Sequence, residues 1–207
     1  MNLDWKKDIN DVAQERFKAA QANDVQSFQW ADYDFNYRAE HTRLVTKTGI
    51  EIGTELDADM DVLTAALILH DIGRSKEEKL HGQIGAQMAE EILRRTDFPV
   101  GKIEAVRYAI AAHVGWDGST PETLEACIVW DADKLNKLGA TIIVHKLMRM
   151  PLKGKRSFDA LPEFNHWIKQ AEYIKKSMKT EPGKRIAEDR YRILHTFVAA
   201  LNRELSL

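Results

Sequence analysis

The sequence predicts an all-α fold because three features of its patterning agree. Apolar residues recur every three or four positions in successive segments, the period of a helix buried on one face. Helix start and stop signals separate these segments. No stretch alternates apolar and polar residues long enough to indicate a strand instead. At 207 residues, the chain is long enough for one well-buried core.

The first three predicted helices occupy the N-terminal third of the chain. Apolar residues at helical spacing predict helices over 4–21 and 36–56. Asp57 or Asp59 then offers a side-chain oxygen that can cap the next helix, because the first amides of a helix lack backbone acceptors. This third helix continues through an apolar run as far as Leu69.

Six further helices are predicted, and proline or glycine bounds most of them. They cover 82–96, 102–113, about 120–135, 140–150, 162–179 and 184–205. The four residues from Ser119 to Glu122 combine a capping hydroxyl, an early proline and a first-turn acid, which indicates a helix start. Pro182 and Gly183 are expected to separate the last two helices. We predict one all-α domain over 1–207, with a motif core at about 37–147 and the C-terminal helices of 160–207 packing on it.

Composition limits the partners of the chain. The 30 basic and 32 acidic residues give a formal net charge of -2, so neither nucleic acid nor an anionic membrane surface is indicated as a partner. No apolar run approaches the roughly 18 residues of a transmembrane helix, and the first residues lack the apolar centre of a signal peptide. We therefore expect a cytoplasmic protein. Its one cysteine, Cys127, lies in an apolar stretch and is interpreted as a buried, inert thiol.

The segment 66–74, ALILHDIGR, ends an apolar helix on two adjacent polar residues, His70 and Asp71. Consecutive helical residues diverge by about 100°, so both cannot follow the apolar face. Both can reach one ion at the helix end, and such an ion compensates the cost of removing an imidazole and a carboxylate from water. The alternative is a packed histidine beside an aspartate that bonds to the local backbone.

Two more residues complete an ordered set. His41 lies 29 residues before His70, and Asp133 follows later in the sequence Ala-Asp-Lys-Leu. This order, a histidine, then His-Asp, then a distant aspartate, resembles the HD-domain superfamily of metal-dependent phosphohydrolases, over about residues 37–147. The resemblance implies a helical-bundle HD domain, with extra N- and C-terminal helices here, in which His41, His70, Asp71 and Asp133 hold a metal ion. Asp131 could orient a ligand.

His81 and His113 resemble the positions that supply a second metal in dinuclear branches of the superfamily. These branches include the HD-GYP phosphodiesterases and the mixed-valent di-iron oxygenases, and Asp71 would then bridge two ions. The chain departs from the HD-GYP pattern, since Ala112 precedes His113 and no Gly-Tyr-Pro follows Gly118. In compact bacterial HD proteins, histidines near these points touch the substrate phosphate or water, and this alternative also stays open.

The resemblance and the ligand chemistry together predict an enzyme. Imidazole and carboxylate ligands suit Mn, Fe, Co, Ni or Zn, with one ion expected and two as the alternative. The ion would activate water to hydrolyse a phosphoester or phosphoanhydride in a nucleotide or another small phosphorylated metabolite. Asp71 is assigned to the catalytic set with Arg74 and Lys134, which would neutralise the phosphate. Further candidate cations are Arg38, Lys137, Lys153, Lys155 and Arg156.

Two other function classes remain as alternatives. All six candidate ligands occur in the order of the di-iron oxygenases, and a metal-binding or ligand-binding module without turnover would retain the same residues. His145, His166 and His195 are assigned no role, since single histidines on helices are usually packing or surface residues. Trp5, Trp30 and Trp167 lie in mostly polar stretches, which leaves a homodimer as an alternative to burial in the core.

Overall fold

The computed structural model describes residues 4–21, 28–30, 33–75, 80–115 and 120–205. Within them the fold is all-α, as the sequence predicts. The α-helices are α1 (Trp5–Gln21), α2 (Tyr37–Glu55), α3 (Met60–Leu69), α4 (His81–Leu93), α5 (Ile103–Ala112), α6 (Leu124–Leu135), α7 (Gly139–Arg149), α8 (Ala160–Lys176) and α9 (Glu181–Leu205). Short 3₁₀ turns occur at Ile72–Ser75, Val100–Lys102, Pro151–Lys153 and Ser157–Asp159.

A small antiparallel hairpin precedes α2 and is not predicted by the sequence. Its strands, β1 (Phe28–Trp30) and β2 (Tyr33–Phe35), pair Phe28 with Phe35. Strands of three residues are too short for a period of two to be recognised.

Side-chain caps set the starts of α2 and α3. The Asn36 side chain accepts a hydrogen bond from the Ala39 N–H (3.1 Å), and its amide donates to the Phe17 carbonyl of α1 (2.9 Å). Of the two candidate caps for α3, Asp59 fills the position and accepts from the N–H of Asp61 and Val62. Asp57 instead has a positive φ of 54° in the preceding turn.

Two predicted helix starts are wrong. Pro182 and Gly183 do not separate two helices but lie in the first turn of α9. Proline is tolerated in a first turn because it has no N–H that needs an acceptor. The Thr180 hydroxyl caps the helix by accepting a hydrogen bond from the Gly183 N–H (3.0 Å). Helix α6 begins at Leu124, after the predicted start; Ser119 lies outside the described residues. Cys127, which the sequence predicts to be buried, is instead half-buried, and its thiol donates to the Pro121 carbonyl.

The chain divides into two compact units, Met1–Asp133 and Lys134–Leu207. In the first, α3 is the most buried helix and packs against α1, α2 and α5. In the second, α9 packs against α7 and α8, and Phe164 is fully buried with its ring against Phe197. The single-domain organisation stays a prediction.

Glycines allow α2 to lie close to α3 in the first unit. A Cβ at Gly49 would lie 2.5 Å from Leu67 Cδ1, and one at Gly53 would collide with Leu63. Because α2 carries His41 and α3 ends next to His70, this close packing brings the two histidines to the same region.

Of the three tryptophans that lie in mostly polar stretches, Trp5 and Trp167 have partners within the chain. The Trp5 ring packs edge-on against Phe98 with centroids 4.8 Å apart, and Trp167 donates its indole N–H to the Lys137 carbonyl. The Trp30 side chain lies outside the described part. Among the described helices, none has the length and apolarity needed to cross a membrane.

Candidate metal centre

Six buried side chains of the unit Met1–Asp133 converge at one place. They are His41 of α2, His70 and Asp71 directly after α3, His81 at the start of α4, His113 directly after α5, and Asp133 of α6. None of the six is more than 4% exposed. The structure thus brings together every residue that the sequence nominated as a metal ligand.

His41 and His70 form the first imidazole pair. Their Nε2 atoms are 3.3 Å apart, and Asp71 Oδ2 lies 3.8 Å from the first and 3.7 Å from the second. Asp133 Oδ1 lies 3.3 Å from His41 Nε2. Ligand atoms of His41, His70 and Asp133 lie within 4.8 Å of one another, so one ion can contact all three.

His81 and His113 form the second imidazole pair, on the other oxygen of the same carboxylate. Their Nε2 atoms are 3.3 Å apart, and Asp71 Oδ1 lies 3.5 Å from His81 and 3.6 Å from His113. Asp71 therefore stands between the two pairs, with one oxygen facing each.

Two of the histidines are oriented by the helices that they follow. His70 Nδ1 lies 2.9 Å from the Leu67 carbonyl, and His113 Nδ1 lies 2.5 Å from the Ile110 carbonyl. Each Nδ1–H donates to a carbonyl near the end of its helix, which leaves the lone pair on Nε2, directed into the centre. A helix end thus fixes both the direction and the tautomer of the ring.

A tight 3₁₀ turn holds Asp71 beside α4. The Arg74 N–H donates to the Asp71 carbonyl (3.1 Å). Gly73 lies against the backbone of α4, where a Cβ would meet the carbonyl of His81 and lie 2.6 Å from the nitrogen of Gly85. Only glycine permits this approach, and it sets the distance between Asp71 and His81.

Two guanidinium groups flank Asp71. Arg74 Nε donates to Oδ1 at 2.6 Å, and Arg38 Nη1 lies 4.0 Å from Oδ2. Both side chains are about one-fifth exposed. Sequence reasoning preferred Lys134 to Arg38 as the second cation. Lys134 is half-buried and directly follows Asp133 in α6.

The other candidate residues are distributed as follows. Lys153, Lys155 and Arg156 belong to the second unit, where Lys155 pairs with Glu163. His166 and His195 are exposed, and His145 is buried in the second unit. Asp131 is fully buried in α6.

Sequence reasoning missed one neighbour of the centre. The Tyr37 ring stacks on His41, with centroids 5.9 Å apart and planes inclined by 19°. An aromatic residue four positions before a histidine on the same helix is the only sequence signal for this contact.

His70 and Asp71 are held in the protonation states that a metal requires. Burial, together with the neighbouring His113 and His41, lowers the pKa of His70 to about 3, although Asp71 opposes this shift. Burial acts to raise the pKa of Asp71, but the positive charge of Arg74, which donates a hydrogen bond to Oδ1, opposes this effect, and the pKa of Asp71 lies well below its usual range. Neutral imidazoles and ionised carboxylates are the forms that bind metals.

The donor set fits a divalent transition metal. Ligand bonds of about 2.0–2.2 Å place neighbouring ligand atoms of one ion about 3.0–3.5 Å apart. Within each pair the Nε2 atoms are 3.3 Å apart, and the carboxylate oxygens of Asp71 lie at 3.5–3.8 Å. Mixed nitrogen and oxygen donors of this kind suit Mn, Fe, Co, Ni or Zn.

Comparison with known proteins identifies the region that contains the centre. The HD-domain family model matches residues 38–138, which confirms the resemblance seen in the sequence. The chain is 25% identical over 175 residues to the Bacillus subtilis protein YpgQ, covering 80% of this chain and 82% of YpgQ. It is also 32% identical over 107 residues to a ribonuclease Y from Chloroflexus aurantiacus, but that match covers 48% of this chain and 20% of the ribonuclease.

Solved structures share the fold. A predicted HD superfamily hydrolase from an uncultured Thermotogales bacterium superimposes with a TM-score of 0.68 at 24% identity, covering 96% of this chain and 91% of the other. An HD-superfamily hydrolase from Bacillus thuringiensis gives 0.70 at 21% identity, with coverages of 97% and 98%. The structure of Bacillus subtilis YpgQ in complex with ADP gives 0.64 at 20% identity, with coverages of 93% and 97%.

Proposed function

Starting from the HD domain at residues 38–138, we propose that this protein is a metal-dependent phosphohydrolase. One observation carries the proposal: four imidazoles and the carboxylates of Asp71 and Asp133, all buried, converge in an arrangement that can hold a divalent transition metal. Buried polar groups of this number are costly unless they are compensated, and an ion provides that compensation.

The proposed substrate is a nucleotide or another small phosphorylated metabolite. The complex of YpgQ with ADP supports a nucleotide, because YpgQ matches this chain over 80% of its length. A phosphoester and a phosphoanhydride both present phosphoryl oxygens to a metal and to cations, so the proposed reaction includes both bond types.

Each residue of the centre has a role in this proposal. His41, His70, Asp71 and Asp133 would hold the ion, which when bound polarises a phosphoryl oxygen and lowers the pKa of water. Arg74 and Lys134 would bind and orient the phosphoryl group. Asp71 also orients Arg74 through the 2.6 Å hydrogen bond.

Substitution of the ligands tests the proposal. We expect His70→Ala and Asp133→Ala to lose bound metal and phosphate release together when a panel of nucleotides and sugar phosphates is assayed. His166→Ala is the matched control, since His166 is exposed in the second unit and should leave both unchanged. Full activity in either ligand variant would refute the assignment.

The convergence of His81 and His113 on Asp71 favours a second candidate, a di-iron oxygenase. In that enzyme all six side chains would be ligands, and Asp71 would contact both irons. His81→Ala then removes one iron per chain, whereas the metal content of a mononuclear hydrolase stays at one. Oxygen consumption without phosphate release would favour the oxygenase.

A further inference from the structure

The carboxylate of Asp71 is surrounded differently on its two sides. Oδ1 faces the second imidazole pair, and it also accepts the hydrogen bond from Arg74 Nε at 2.6 Å. The Arg74 guanidinium therefore lies closer to this oxygen than either imidazole of the second pair does. Its positive charge lies beside the carboxylate oxygen that a second ion would have to contact.

The backbone fixes Arg74 in this position. Arg74 is three residues after Asp71, in a turn closed by the hydrogen bond from its N–H to the Asp71 carbonyl. The turn cannot move toward α4, because Gly73 already touches the backbone of His81 and Gly85. The side chain is mostly buried, which limits the water that could screen its charge.

The first pair gains a second carboxylate, and the guanidinium on its side lies farther from the carboxylate of Asp71 than Arg74 does. Asp133 Oδ1 lies 3.3 Å from His41 Nε2, and Arg38 Nη1 lies 4.0 Å from Asp71 Oδ2. Two carboxylates therefore attract an ion at the first pair. At the second pair the Arg74 guanidinium opposes the binding of an ion, because two positive charges beside the same carboxylate oxygen repel each other strongly away from bulk water.

We propose that Arg74 takes the place of a second metal ion, so that the centre holds one ion at the first pair while His81 and His113 face the substrate instead of a second ion. This inference rests on the proposed metal centre and decides how many ions it holds. Arg74 then determines how many metal ions the centre binds, in addition to its proposed role in binding phosphate.

Manganese provides a test that does not depend on activity. Metal-free protein is saturated with Mn²⁺, passed over a desalting column and analysed for manganese per chain, and its electron paramagnetic resonance spectrum reports whether two ions are coupled. We expect one uncoupled ion in the wild type and two coupled ions in Arg74→Met. Arg74→Gln removes the same charge and should give the same result if Arg74→Met folds poorly.

Three further variants make the result specific. Arg74→Lys keeps the charge and should retain one ion, and Arg38→Met removes the other guanidinium and should also retain one. Combining His113→Ala with Arg74→Met removes a ligand of the second pair and should return the count from two to one.

The outcomes separate this inference from the proposed function. Two ions in the wild type, or one ion in both charge-removing variants of Arg74, would overturn the inference and leave the metal centre intact. Two ions in Arg38→Met would overturn it as well, because the effect would then be one of net charge alone. No manganese in the wild type would overturn the inference together with the metal centre itself.

Discussion

Replacement of Gly73 by alanine tests whether the turn after Asp71 needs its close approach to α4. The added Cβ would meet the carbonyl of His81 and lie 2.6 Å from the nitrogen of Gly85, which is far inside van der Waals contact. Both opposing atoms belong to the backbone, so no side-chain rotation relieves the overlap. Overpacking usually costs about 1–3 kcal/mol. We expect the upper end, about 3 kcal/mol, or a decrease in Tm of about 6–12 °C for a chain of this size.

The same substitution should weaken metal binding. Separating the turn from α4 moves Asp71 away from His81, and disturbing the support of a ligand typically costs about 10–100-fold in metal affinity. Thermal unfolding of the metal-free protein and a Mn²⁺ titration measure the two effects. Gly101→Ala is the control, since nothing lies within 4 Å of its Cβ position. If Gly73→Ala and Gly101→Ala have the same Tm and the same affinity for Mn²⁺, the close approach of Gly73 to α4 does not position the centre.

Three other predictions concern stability. Folding lowers the pKa of His70 from 6.5 to about 3, so below pH 6.5 the unfolded chain binds a proton that the folded chain does not. The free energy of unfolding of the metal-free protein should therefore fall as the pH decreases below 6.5, by up to about 1.4 kcal/mol per pH unit. Urea unfolding at several pH values measures this dependence, which should be flatter in His70→Ala. Asp59→Ala removes the cap of α3 and should cost about 1 kcal/mol in urea unfolding, whereas an unchanged midpoint would contradict the capping role. Phe164→Ala empties a fully buried site in the second unit and should cost about 3–5 kcal/mol in thermal unfolding while metal content stays the same.

The sequence predicted which residues form the metal centre because these residues occupy unusual positions in the apolar pattern. His70 and Asp71 end an apolar helix, and Asp133 interrupts another, so both positions look costly without a ligand. What the sequence does not contain is the arrangement around them. The two carboxylate oxygens of Asp71 face different imidazole pairs because four helices pack around them. That packing depends on contacts such as the one between Gly49 and Leu67, which a sequence alone does not reveal.

One helix boundary was predicted wrongly because proline is compatible with two different positions relative to a helix. Pro182-Gly183 was expected to break a helix, but proline is equally suited to a first turn, and Thr180 supplies the cap. The phosphate-binding role of Lys134 stays a prediction. Arg38, a further candidate cation in the sequence, lies 4.0 Å from Asp71 Oδ2.

The metal content of the purified chain tests the central claim most directly. Protein prepared without a histidine tag or chelator is analysed for transition metals, alongside His70→Ala prepared in the same way. The proposed centre predicts about one ion per wild-type chain and almost none in the variant. A wild-type chain that contains no metal and takes up none from Mn²⁺, Fe²⁺ or Zn²⁺ would contradict it.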